Sequence, residues 1–65
     1  MTVNIYKFEN FGDYVISSRN RKFREKFGYE IYCDRNKVWE NMVKITMWAE
    51  YTYNEKVFFK VEGWK

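Results

Sequence analysis

The sequence predicts a small α+β domain: a mostly antiparallel sheet of three to four strands with one helix packed on one face. Three observations carry that expectation. Aromatic residues make up 23% of the 65-residue chain, leucine is absent and Ala49 is the only alanine, a composition that favours strands over helices. Runs of alternating apolar and polar residues occur near both ends. Between them lies a stretch with apolar residues at helical spacing, and a sheet this small needs a cover for its apolar face.

The elements follow in chain order. Residues 2 to 8, "TVNIYKF", read as a strand with Val3 and Ile5 on one face and Asn4 and Tyr6 on the other. The run "ENFGD" (9–13) supplies a turn built on Asn10, Gly12 and Asp13. "YVISS" (14–18) is a second short strand, and Ser17 to Asn20 can turn the chain again.

Residues 21 to 33 admit two readings. As a helix from Ser18 to Phe27, Phe23 and Phe27 form an i, i+4 pair and Gly28 is the stop. As a strand, Phe23, Phe27, Tyr29, Ile31 and Cys33 share one face, with Lys22, Arg24, Lys26, Glu30 and Asp34 on the other. Only Glu25 and Tyr32 break the alternation. The strand explains more residues and is the expected form, with Gly28 marking a bulge or twist.

Residues 36 to 53 are also two-sided. Val38, Met42, Ile45 and Ala49 form a narrow helical stripe that Asp34 or Asn36 could cap. Val43, Ile45, Met47, Ala49, Tyr51 and Tyr53 alternate as a strand would. An eleven-residue strand is long for so small a domain, so a helix over roughly 36 to 50 is expected. "KVFFKVEGW" (56–64) closes the chain as a strand, with Val57, Phe59 and Val61 inward.

Length allows one domain, residues 1–65, near the lower limit for unaided folding. Cys33 is the only cysteine and there is no histidine, which excludes an intrachain disulfide and the usual Cys/His zinc sites. No cofactor is expected. A lone thiol without a signal peptide points to a reducing, cytoplasmic setting. No apolar run approaches the roughly 20 residues of a membrane span.

The same inventory argues against an enzyme. Histidine, the commonest general base, is missing. Cys33 falls on an apolar-rich face, where a thiol is inert. Gly12, Gly28 and Gly63 form no phosphate-cradling pattern, and no carboxylate pair is singled out. No catalytic residue is assigned.

Charge is the first positive signal. Arg19, Arg21, Lys22, Arg24 and Lys26 stand against Glu25 alone, a local balance of +4. The other seven cations and eight anions balance to −1. On a strand, Lys22, Arg24 and Lys26 would project from one face about 7 Å apart. That spacing resembles the phosphate repeat of an extended single strand, with Tyr6 and Tyr32 able to supply stacking surface. The charge asymmetry itself points to an acidic protein patch first and to phosphates second. The plain alternative is a solvated face guarding an edge strand.

Trp48 is the second signal. On the expected helix it falls on a polar flank with Glu40, Asn41 and Lys44, where a large aromatic invites a partner. Otherwise it packs under the end of the chain near Trp64. Trp39 lies nearer the apolar stripe and reads as core. The candidate contact residues are therefore Arg19, Arg21, Lys22, Arg24, Lys26, Lys44 and Trp48.

Two functions are carried forward: a non-enzymatic module that docks on a larger protein with an acidic surface and inhibits or modulates it, and a nucleic-acid binder contacting phosphates through Arg19–Lys26. A homodimer through an exposed strand edge is compatible with either.

The chain begins at Met1, is expected to be complete at 65 residues, and is rich in Lys, Asn, Tyr, Phe and Ile. Its run "YEIYCDRNKVWENMVKITMWAEYTYNEKVFFKV" (29–61) resembles the strand–helix–strand core of small early proteins that large lytic bacteriophages make to control host machinery. That resemblance implies a modulator of a host enzyme, transcription complex or defence system, acting by binding in the host cytoplasm. No functional residue is carried over by it.

Overall fold

The computed structural model describes residues 1–8 and 12–62. It is an α+β fold, in the order β1 (Thr2–Phe8), β2 (Asp13–Ser17), α1 (Arg21–Phe27), β3 (Glu30–Asp34), α2 (Arg35–Tyr53) and β4 (Phe58–Glu62). The four strands form one sheet in the order β3-β2-β1-β4. β2 runs antiparallel to both β1 and β3, and β4 is parallel to β1.

Strand register sorts the side chains. Ile5 lies opposite Ile16, Ile16 opposite Ile31, and Val3 opposite Phe59, so these residues share one face. Both helices cover that face. Phe23 of α1 and Ile45 of α2 join Val3, Ile5 and Ile16 in a fully buried cluster. In area terms each such side chain stabilises by about 1.5–3 kcal/mol on burial.

Residues 21–33 are not a single strand. Arg21–Phe27 is a helix, and only Glu30–Asp34 is extended. Asn20 caps the helix, its side-chain oxygen accepting from Lys22 N at 2.9 Å and Phe23 N at 3.4 Å. The loop before it is pinned by Ser18, whose Oγ donates to Thr2 O at 2.7 Å and accepts from Asn20 N at 3.1 Å. Gly28 ends the helix at φ 87°, ψ −170°, a conformation nearly confined to glycine. The alternation misleads because an i, i+4 pair such as Phe23 and Phe27 is also an even-numbered spacing. It fits period two as well as period 3.6.

The main helix is present and longer than 36 to 50. Asp34 caps it, accepting from Asn36 N at 2.8 Å and Lys37 N at 3.1 Å. Asn54 stops it in the left-handed region, φ 54°, where asparagine is the best tolerated non-glycine residue. Ile45 and Ala49 are buried and Val38 and Met42 half-buried, as the apolar stripe requires. Val57, just before β4, and Phe59 within it turn inward, but Val61 is exposed. The backbone of α2 comes closest to β3 and β2, and a groove separates it from β4.

The turn expected over 9–13 lies mostly outside the described residues. Of its last part, Gly12 has φ 65° and its N–H donates to Phe8 O at 3.2 Å. Trp64 also lies outside them.

Candidate protein-interaction surface

The five cations from Arg19 to Lys26 sit on and before a helix, so Lys22, Arg24 and Lys26 form no row on a strand face. Successive residues on a helix are about 100° apart, which spreads them around α1. Arg21 pairs with Glu25, Nε to Oε1 at 2.9 Å, both largely exposed. Lys22 pairs with Glu55 and lies 4.3 Å from the centre of the Tyr53 ring. The hydrogen bond from Lys22, aided by its charge, holds the Glu55 carboxyl below its usual range. Arg24 stands 5.9 Å from the Tyr29 ring centre. Arg19, Arg24 and Lys26 are exposed.

Trp48 is half-buried between the helices, not presented on an open flank. Its ring lies 5.0 Å from Phe27 at 87° and 5.4 Å from Tyr53 at 86°. Phe27 in turn lies 5.1 Å from Phe23. The Phe27–Trp48 contact stitches α1 onto the C-terminal half of α2, and an aromatic pair of this kind adds about 0.5–1.5 kcal/mol beyond area burial.

Among the described residues the exposed tryptophan is Trp39, at 72%. It begins a stripe of Trp39, Val43, Met47 and Tyr51 along the outer face of α2, every member exposed and Tyr51 at 95%. Sequence reading missed this stripe. Val43, Met47 and Tyr51 were visible in it, but their four-residue spacing passed for strand alternation. On one side the stripe opens into a groove of about 360 Å³ between α2 and β4, floored by Met42, Val57 and Phe59. On the other, Lys44 stands one turn before Trp48 on the same row, which leads to α1 and its cations.

The far side of the sheet differs in character. Tyr6, Val15 and Tyr32 form one cross-strand row there. Val15 is only 5% exposed although no helix lies over it. Tyr6 and Tyr32 share a face, as expected, but without the basic run: their neighbours by register and alternation are Asp13, Glu30, Asp34 and Glu62, with Lys60. Tyr32 Oη donates to Glu30 Oε2 at 2.6 Å, and that bond and charge push its phenol up.

Cys33 faces the helices beside the core. Burial pushes its thiol up, against a weaker opposing bond from Asn41. Among the described residues no group of three or more Cys, Asp and Glu side chains is placed to hold a metal ion, and no helix is long and apolar enough to cross a membrane.

No protein-family model matches the chain, and comparisons with curated proteins and with solved structures return no significant match.

Proposed function

We propose that this chain is a non-enzymatic binding module that docks on a larger protein and inhibits or redirects it, acting in the cytoplasm. The outer face of α2 is the contact surface. The observation that carries this reading is the exposed stripe Trp39, Val43, Met47 and Tyr51. An unpaired apolar stripe on a helix is costly in water, and tryptophan and tyrosine are the residues that dominate interface energies. The occupant we propose is a protein surface with an apolar centre and an acidic rim, because Lys44 flanks the stripe and the row it shares with Trp48 leads to α1 and its cations. A host protein is the target that the resemblance to early bacteriophage proteins implies.

Affinity capture from nuclease-treated lysate, comparing wild type with Trp39→Ala and with a Lys22/Arg24/Lys26 triple alanine, tests it. One protein should be retained by wild type, lost with Trp39→Ala and weakened by the triple variant. Equal capture by all three would overturn the assignment.

The +4 balance of Arg19–Lys26 favours a second reading, a nucleic-acid binder. Four or five phosphate contacts would make affinity fall by orders of magnitude between low and physiological salt. Tyr6 and Tyr32 stand among carboxylates on the far face, so the cations would act without that stacking surface. Oligonucleotide binding that survives physiological salt and is lost with Arg24→Ala would favour this reading.

A further inference from the structure

We propose that the free edge of β4 pairs antiparallel with β4 of a second copy of this chain, about a two-fold axis through Phe59. Among the described residues the sheet order leaves β4 unpaired on its outer side. On its inner side the Phe58 N–H donates to Met1 O at 2.8 Å. Backbone groups alternate in direction along a strand, so Phe58, Lys60 and Glu62 bond inward. Val57, Phe59 and Val61 then present their N–H and C=O groups outward.

The usual guards of an edge are missing here. The chain has no proline. The β4 register, Thr2–Phe58 through Tyr6–Glu62, runs without a skipped residue, so no bulge twists the edge away. The one lysine of the strand, Lys60, lies 3.5 Å from Glu62, which blunts its charge. Phe58 and Val61 are 61% and 66% exposed on opposite faces.

Charge selects the occupant and the register. With Phe59 opposite its own copy, Val57 meets Val61 on the helix side. On the far side Lys60 meets the ring of Phe58, and Lys56, two residues before the strand, comes opposite Glu62 in the register. All of these are self-complementary, as an isologous contact demands. Moving the axis to Lys60 would set Lys60 against Lys60 and Phe58 against Glu62. The Phe59-centred register adds about six backbone hydrogen bonds and joins the two sheets into one, with every helix on the same side. This surface touches the docking face only at Val57 and Phe59, which line the groove beside the α2 stripe. The docking proposal rests on the stripe itself, so a failure here leaves it standing.

The test is sedimentation equilibrium over micromolar to millimolar concentration, with far-UV circular dichroism as the folding control. Wild type should sediment at twice the chain mass at the upper end. Val61→Pro removes only an outward N–H and should be a folded monomer. Glu62→Lys sets like charges opposite each other and should weaken association at least tenfold. Adding Lys56→Glu to Glu62→Lys should restore it. A wild type that stays monomeric throughout overturns the proposal, as does a dimer indifferent to Val61→Pro. A Glu62→Lys defect that Lys56→Glu does not repair overturns the register.

Discussion

Trp48 stands edge-on to Phe27 with ring centres 5.0 Å apart, and this pair is the hinge pin between the two helices. Truncating Trp48 to alanine should therefore cost about 2–3 kcal/mol, somewhat below the range for fully buried aromatics. A double-mutant cycle with Phe27→Ala should return a coupling of about 1 kcal/mol. Urea unfolding followed by circular dichroism would measure both; additivity within error would show that the rings do not act as a pair.

Trp39 should behave in the opposite way. It is exposed and outside the core cluster, so Trp39→Ala should shift stability by no more than about 0.5 kcal/mol. The contrast between Trp39 and Trp48 in the same unfolding assay separates a contact surface from a packing role. A large loss of stability at Trp39 would contradict the described exposure.

Phe23 is fully buried among residues of β1, β2 and α2. Phe23→Ala should cost about 3–5 kcal/mol. A domain of this length commands only a few kcal/mol in total, so the variant should be largely unfolded at 25 °C by circular dichroism. At the caps the costs are smaller. Asp34→Ala should remove about 1 kcal/mol. Gly28→Ala meets no atom within 4 Å but carries φ 87°, and that strain should cost about 1–3 kcal/mol.

The Lys22–Glu55 pair gives the acid limb of stability a defined sign. The folded carboxyl of Glu55 titrates below its usual range. Its contribution is thus present above the ordinary carboxylate value and lost as pH falls through the folded one. Glu55→Gln should flatten part of the decline in thermal midpoint between about pH 5 and pH 3. The effect is small because both partners are partly exposed. An unchanged slope would show that the pair does not persist in solution.

Cys33 should react slowly. Burial raises its thiol, so little thiolate forms at neutral pH. Alkylation at pH 8 should be much slower in the folded chain than in 6–8 M urea, roughly tenfold or more if access requires opening. Equal rates would place the thiol in open solvent.

The α+β class and the strands β1, β2 and β4 were legible from their alternation, and the longer helix was preferred over a strand because an eleven-residue strand is too long for so small a domain. Val38, Met42, Ile45 and Ala49 include the odd three-residue step from 42 to 45, which a strand cannot accommodate on one face. What was not legible shares one cause. Phe23 and Phe27, and likewise Val43, Met47 and Tyr51, are spaced by four, and multiples of four belong to both periods. Such residues report a face without reporting an element. The capping chemistry at Asn20, Asp34 and Gly28 breaks the tie, and it depends on backbone geometry that composition alone does not weigh. Trp48 and Trp39 exchanged roles for a related reason. The short helix that buries Trp48 was read as a strand, and without α1 its flank had nothing to cover it.

The parallel pairing of β1 with β4 has a consequence for the order of assembly. The Met1 amine donates to Lys56 O at 2.8 Å across a separation of 55 residues, and β1 takes its second neighbour from the last strand described. The hairpin of β1 and β2 can pair early through a short loop, and β3 can join it across the α1 connection. β1 must wait at a ribosome's exit until residues 58–62 have emerged, keeping one flank open during synthesis. Loop closure of that length is the slowest contact to form. A chain cut before Phe58 would carry a permanently open centre where the finished molecule has none.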